Sequence, residues 1–167
     1  WKFIRKYLPG FERAYITRIC PELRIREGRR IMGDYVLQAE DVVEERKFPD
    51  VIGKSAFPAG AVHVVGPGTL ESMVPPMLLK SGGSHDIPYR CLVPREIENL
   101  LVAGKAISTA RAVYQRFLMQ TMVTGQAAGV AAALAARDGI TPRQLEADVS
   151  ELQRILVAQG AILTGTH

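Results

Sequence analysis

The 167-residue chain is long enough for one domain with a hydrophobic core, and its 47% hydrophobic and 23% charged residues are typical of globular proteins. Its longest apolar run, residues 122–136, consists largely of alanine and is interrupted by polar side chains, so we expect no membrane span. The net charge of +4 comes without a nucleic-acid recognition motif, so we expect no nucleic-acid partner.

The two cysteines bear on the cellular compartment of the protein, and the first residues bear on whether the chain is part of a longer protein. Cys20 and Cys91 lie far apart without metal-ligand spacing, which predicts no metal site. Two lone thiols suit a reducing compartment, so we expect a cytoplasmic location, with one disulfide as the alternative. The start, Trp1-Lys2-Phe3, has no initiator Met and no signal-peptide layout, so we expect an internal part of a longer protein.

The first half of the chain predicts short, irregular elements. Residues 1–20 favour one or two helical pieces broken at Pro9-Gly10. Residues 25–37 alternate like a strand, and the glycines within them, Gly28 and Gly33, indicate a turn or a close backbone approach. Residues 39–46 predict a short acidic helix.

The second half predicts strands followed by two helices. The predicted strands are residues 51–57, 61–65, 87–94 and a buried strand at 99–103. A helix is predicted over residues 113–137, with a break near Thr124-Gly125 and an end at Gly139. A last helix is predicted to begin at a capping box, Thr141-Pro142-Arg143-Gln144, and to end at Gly160. Its buried face is predicted to consist of Leu145, Val149, Leu152 and Leu156.

The long helix is unusual because one face is nearly all Gly and Ala. If the break makes Thr124-Gly125 a helix N-terminus, its unpaired N–H groups favour anionic or carbonyl oxygens. Gly125 carries no Cβ to obstruct a flat ligand. The Gly125–Gly129 spacing alone fits close helix packing at least as well as a ligand site, so both interpretations stay open.

Four motifs in fixed order sharpen this interpretation. They are Arg26–Leu37 (REGRRIMGDYVL), Ile87–Pro94 (IPYRCLVP), Asn99–Gly104 (NLLVAG) and Thr124–Gly129 (TGQAAG). The series resembles the FAD-dependent oxidoreductases of the glutathione-reductase type over about residues 22–163. The resemblance implies a mixed α/β class, an α+β fragment in which a mixed or antiparallel substrate-side sheet joins the last strand and helix of a Rossmann-like FAD-binding domain. The implied divisions are residues 1–88 on the substrate side, 89–139 for the FAD-binding segment and 140–167 for a C-terminal helix.

The resemblance also implies cofactor contacts. Gly104 and Ser108 would lie along FAD. The isoalloxazine would face Thr124, Gly125, Gln126 and Ala127. Helix N–H groups there would stabilise negative charge at the edge of reduced flavin. Lys105 stands where the family often has Arg, and keeps the charge without the planar fork.

A nucleotide fingerprint is absent from the sequence. No Gly-x-Gly-x-x-Gly followed by an acidic residue occurs, although relatives grip the ADP half of FAD with it. We therefore expect the C-terminal part of such an enzyme, whose partner is the missing N-terminal FAD-binding part. We also expect that the isolated chain binds no FAD tightly.

Four residues are candidates for catalysis. His63, on a predicted strand, could move a proton near the flavin, but Ala61 replaces the Asp usual in relatives, and a satisfied structural His is the alternative. Arg30 could clamp a substrate carboxylate or pair with Asp34 or Glu27. Tyr89 and Arg90 lie between two prolines, in a segment that relatives place near the flavin. The alternative for Tyr89 is core packing with a satisfied hydroxyl.

Two functions of different classes follow. The first is hydride transfer from a small-molecule substrate to flavin in the full protein, with an inactive isolated chain. The second is a non-catalytic binding or oligomerisation module that uses the Gly and Ala helix and the Arg cluster. In both cases we expect a homo-oligomer, because exposed apolar faces favour association.

Overall fold

The computed structural model describes residues 1–22, 28–59, 62–66, 69–72, 79 and 83–165. The helices are α1 (Lys2–Tyr7), α2 (Ala39–Val43), α3 (Leu118–Asp138) and α4 (Ser150–Ala158). The strands are β1 (Val51–Ser55), β2 (Val62–Gly66), β3 (Thr69–Ser72) and β4 (His85–Pro88). Among the described residues, 3₁₀ turns cover Tyr89–Cys91, Gly104–Ala106 and Gln144–Ala147. The chain therefore has the mixed helix and strand content that the sequence predicted.

The described strands form two antiparallel pairs. β1 pairs with β4, which places Val51 opposite Pro88 and Ser55 opposite His85. β2 pairs with β3, with His63 opposite Glu71. The antiparallel pairing agrees with the predicted substrate-side sheet.

The core lies where β1 and β4 meet α3 and α4. Six fully buried apolar side chains belong to it: Ile52, Ile87, Tyr89, Leu92, Leu152 and Leu156. The burial predicted for the last helix is confirmed, since Leu145 and Val149 are also buried, but these two residues precede α4. Cys91 is buried in this core, whereas Cys20 is exposed, and both thiols are free. Burial raises the pKa of Cys91 far above its usual value.

The segment that follows β4 joins two stretches of the chain, residues 34–35 before β1 and residues 102–108 after β4. Its carbonyl groups at residues 90–93 accept backbone hydrogen bonds from Tyr35, Ser108, Val102 and Asp34, in that order. The distances lie between 2.9 and 3.3 Å. The predicted strand over residues 87–94 is therefore wrong beyond Pro88, because a 3₁₀ turn aims these carbonyls at several segments instead of one partner strand.

Residues 28–37 do not form the predicted strand. They make only two isolated bridges, Gly33 to Pro94 and Leu37 to Thr109, because their partners are a turn and a loop. Gly33 does mark a close approach: a Cβ there would lie 2.7 Å from the Ser108 Cβ and 2.9 Å from the Arg90 carbonyl oxygen. A Cβ at Gly28 would meet nothing within 4 Å.

The predicted buried strand over residues 99–103 is wrong. These residues are exposed or half-buried, and their one backbone bond to another segment joins the Val102 N–H to the Leu92 carbonyl. Of the one or two helical pieces predicted over residues 1–20, one forms, α1, and residues 11–20 form no helix. α1 has no buried residue and thus lacks the packing that normally holds a second helix beside it.

The C-terminal helices differ from prediction at their N-termini. α3 begins at Leu118 and is continuous through Thr124-Gly125, so the predicted start at Val113 and the predicted break are wrong. It ends, as predicted, at Gly139 in the left-handed conformation. Thr141 and Gln144 do bond reciprocally, at 2.8 and 3.2 Å, but they open a 3₁₀ turn, and α4 begins only at Ser150.

The contact at Gly33 yields a test of the fold. Gly33→Ala should lower the free energy of unfolding by about 1–3 kcal/mol, because backbone and a buried Cβ cannot move aside for the methyl group. Gly28→Ala is the matched control, since its methyl group meets open space. Urea unfolding measures both, and equal stability of the two variants would contradict the close approach.

Candidate functional site

The turn at Gly104 is fastened to α3. The Gly104 N–H donates to Thr124 Oγ1 at 2.9 Å, and the Thr124 hydroxyl donates to the Gln120 carbonyl at 2.9 Å. Gly104 has a φ of +73°, a conformation that favours glycine. The structure thus brings together two of the predicted cofactor-binding residues, and the buried Thr124 side chain is a structural link between them.

The other predicted cofactor residues divide into accessible and buried ones. Gly125 is exposed, and nothing lies within 4 Å of where its Cβ would be. Gln126 is half-buried and donates to Gln159 Oε1 at 2.9 Å. Ala127 and Ser108 are fully buried. Ser108 faces Gly33, and its hydroxyl has no hydrogen-bond partner in the described part of the chain.

The N-terminus of α3 lies earlier than the sequence predicted. The first intrahelical bond joins the Thr121 N–H to the Phe117 carbonyl at 3.0 Å. The N–H groups of Leu118, Met119 and Gln120 therefore have no intrahelical partner, whereas those of residues 124–127 bond within the helix. The predicted placement of free N–H groups at Thr124–Ala127 is wrong because no helix begins there.

Gln120 fixes this helix end. Its Oε1 accepts the Phe117 N–H at 3.1 Å, and its Nε2 donates to Ser55 Oγ at 2.6 Å, which ties the first turn of α3 to β1. Sequence reasoning missed Gln120. The available signal was a glutamine in the third helical position, which is typical of a helix start.

One side of α3 is apolar and open along its whole length. The open face of α3 consists of Leu118, Met122, Gly125, Gly129, Ala132 and Ala136, all exposed. Leu118 and Met122 are 72% and 65% exposed, far more than large apolar side chains in a core. A cavity of about 540 Å³ lies against its C-terminal half, lined also by Asn99, Leu101 and Ile140.

Arg30 binds the loop that follows the Gly104 turn. Its Nη1 donates to the Thr109 and Ala110 carbonyls at 3.3 and 2.5 Å, and its guanidinium lies 5.6 Å from the Tyr114 ring centre. Of the two acids predicted as alternative partners, Asp34 binds Arg143 instead, and Glu27 lies outside the described residues. A substrate-clamping role of Arg30 stays a prediction.

Tyr89 has the core packing and the satisfied hydroxyl that were its alternative, and Arg90 forms an ion pair. Tyr89 is fully buried, and its hydroxyl donates to the Pro142 carbonyl at 2.9 Å. Burial raises its pKa well above the usual value, so the phenol stays protonated. Arg90 binds both oxygens of Asp50, at 2.9 and 3.1 Å, and lies 5.2 Å from the Tyr35 ring centre.

His63 lies in β2, but its side chain is outside what the structure describes. The buried histidine that the structure does describe is His85, which the sequence analysis did not single out. Its Nε2 lies 3.1 Å from Gln115 Nε2. Burial, only partly offset by the charge of Asp86, lowers the pKa of His85 to about 4, so it is neutral at physiological pH.

The sequence identifies the family to which the chain belongs. The model of the FAD dependent oxidoreductase family matches residues 1–156. The chain belongs to this family. Neither a curated protein nor a solved structure matches it. Family membership supports an oxidoreductase role and FAD as the cofactor of full-length relatives.

In the oxidoreductase chain, the start of α3 suits a flavin, whereas the predicted contact at Ser108 does not. At the start of α3, three N–H groups without intrahelical partners stand beside exposed apolar side chains, which suits the electron-rich edge of a flat ring. Ser108 does not fit a cofactor contact, because it is enclosed by Gly33 and has no exposed surface.

The link between the Gly104 turn and α3 can be tested. Thr124→Val should lower the free energy of unfolding by about 1–3 kcal/mol, because it leaves the Gly104 N–H without its acceptor. Thr124→Ser retains the hydroxyl and should recover most of the loss. Denaturant unfolding measures both variants, and equal losses for Val and Ser would show that the hydroxyl is not the stabilising group.

His85 should make the oxidoreductase chain sensitive to acid. Because its pKa is lowered from 6.5 to about 4 by burial, its contribution is present in full above pH 6.5 and is lost as the pH falls through 4. His85→Gln should therefore lose less stability than the native chain over that interval. Denaturant unfolding at a series of pH values measures the difference, and parallel curves would contradict a neutral buried His85.

Proposed function

We propose that this chain is the C-terminal portion of an FAD-dependent oxidoreductase of the glutathione-reductase type, and that the start of α3 is its flavin-edge site. The single observation that carries the placement is the row of helical N–H groups without intrahelical partners at Leu118, Met119 and Gln120. Membership of the family supplies the cofactor class. The reaction proposed for the full protein is hydride transfer between a small-molecule substrate and the flavin.

The chain's own contribution is electrostatic. FAD, when bound, would supply a two-electron acceptor that takes a hydride from a substrate C–H bond and leaves the substrate oxidised. The N–H groups of Leu118 and Met119 would donate hydrogen bonds to the electron-rich edge of the ring. The positive end of the 21-residue α3 would favour the negative charge that reduction brings. Such donors stabilise charge best when they are held in place before the reaction.

Two contacts hold the helix end in place. Gln120 ties it to β1 through Ser55, and Thr124 ties it to the turn at Gly104. Leu118, Met119 and Met122 stand exposed around it and supply apolar contact for a flat ring. These positions differ from those the resemblance implied, and they follow the observed start of the helix.

The proposal requires a second polypeptide segment. The sequence holds no Gly-x-Gly-x-x-Gly fingerprint, so the ADP half of FAD would be gripped by an N-terminal FAD-binding part. The open face of α3 and the exposed or half-buried residues 99–103 would be the surface on which that part docks. The isolated chain would be inactive and would bind FAD weakly. A cytoplasmic location stays a prediction.

A charge at the helix start tests the flavin-edge site. In the complex of this chain with the FAD-binding part, Met119→Glu should weaken FAD retention by about tenfold, because a carboxylate competes for the same N–H groups. Met119→Gln is the matched control, since it makes the same exposed side chain polar without adding a charge. Fluorescence titration of released FAD measures retention, and equal loss in both variants would place the flavin edge elsewhere.

The open face of α3 also favours the second candidate, an oligomerisation module. In that case a second copy would cover the open face, and Gly129→Glu should convert a dimer to a monomer in light scattering. Addition of the FAD-binding part separates the two proposals. Dissociation of the dimer with uptake of FAD supports the oxidoreductase, whereas a persistent dimer without FAD supports the module.

A further inference from the structure

Two lysine side chains share one buried carboxylate beside the β1–β4 pair. Lys54 lies in β1, and Asp86 lies opposite it in β4. The Lys54 Nζ donates to Asp86 Oδ1 at 2.5 Å, and the Lys47 Nζ lies 3.8 Å from the same oxygen. The other carboxylate oxygen, Oδ2, accepts the Phe48 N–H at 3.0 Å. Two ammonium groups therefore compete for one oxygen of a single carboxylate.

The two lysines differ in their access to solvent. The side chains of Lys54 and Asp86 are 8% and 3% exposed, whereas the side chain of Lys47 is 45% exposed. The Lys47 amine is also held in place, because its Nζ donates to the Ser84 carbonyl at 2.7 Å. A small molecule in solution can therefore reach the nitrogen of Lys47, but it cannot reach the nitrogen of Lys54.

The surroundings of Lys47 favour its neutral form. Partial burial and the adjacent positive charge of Lys54 lower the pKa of Lys47. The negative charges of Asp86 and Glu45 oppose this effect without cancelling it. His85, the neighbour of Asp86 in β4, is neutral at physiological pH and adds no charge. An amine beside a second cation is an activated nucleophile, because its lone pair is available at a lower pH.

We propose that Lys47 is a nucleophilic amine that forms a reversible imine with a small aldehyde. The nitrogen lone pair attacks the carbonyl carbon, and the π electrons of the C=O bond move to the oxygen. The two N–H protons of the neutral amine then pass to that oxygen, which leaves as water while the second C–N bond forms. The step consumes no oxidant or reductant, and addition of water reverses it. Lys54 takes no part in the bond changes and acts only through its charge.

Reductive alkylation of the native chain tests the proposal. Acetaldehyde with sodium cyanoborohydride converts each imine to a stable ethylamine, and peptide mass spectrometry measures the rate at each lysine. At about pH 7.5, Lys47 should react about threefold faster or more than Lys2 and Lys6, the exposed lysines of α1. As the pH is raised, its rate should level off at a lower pH than theirs. A rate no higher than that of the α1 lysines would overturn the proposal, and so would rates that level off together.

Omission of the reductant tests whether the adduct is an imine. Acetaldehyde alone should add to Lys47 and be lost on dialysis, because water hydrolyses the C=N bond. The mass of the chain should then return to its native value. A mass increase at Lys47 that survives dialysis would show an irreversible adduct and would contradict the imine.

Lys54→Met separates activation by charge from simple exposure. The variant leaves Lys47 as the one lysine beside Asp86, so its rate should fall to that of the α1 lysines. Lys54→Arg is the matched control, because it keeps the positive charge and should keep the fast reaction. Equal rates at Lys47 in the two variants would overturn the role of Lys54.

Circular dichroism shows whether each variant is folded, and the pH profile of the native chain decides the matter if Lys54→Met does not fold. None of these measurements uses a flavin, so the imine site holds or fails independently of the proposed function.

Discussion

The carbonyl groups of residues 90–93 are the constraint on which the rest of the structure depends. They accept backbone hydrogen bonds from residues 34, 35, 102 and 108, which lie in two stretches of the chain, one before β1 and one after β4. A buried carbonyl without a donor is costly, so each of those segments has its place set by the turn after β4. Tyr89 extends the same control to the C-terminal segment through its bond to the Pro142 carbonyl.

This arrangement explains which predictions from sequence succeeded. Periodicity identified β1, β2, α2 and the buried face of α4, because those patterns depend on local contacts and one core side. Gly33 and Gly139 were recognised because each has a conformational or steric need for glycine. The resemblance was confirmed at the level of the family.

The errors have a common physical origin. Residues 28–37 and 99–103 have the composition of strands, but a strand requires a partner strand, and both segments bond to turns. The start of α3 was misplaced because TGQA looks like a first turn, whereas Gln120, which caps the real start, acts through a contact with Ser55 on a distant strand. No local pattern reveals that contact, and it moves the positive end of the helix by almost two turns.

The burial of Cys91 has a practical consequence for studies of this chain. Its thiol is enclosed by the core and resists ionisation, while Cys20 lies on the surface. A thiol reagent would label Cys20 at once and reach Cys91 only after the segment that organises the fold has opened. The rate of Cys91 labelling would then report the rate at which the core opens. An added probe at this buried position would disturb the packing, whereas the native thiol does not.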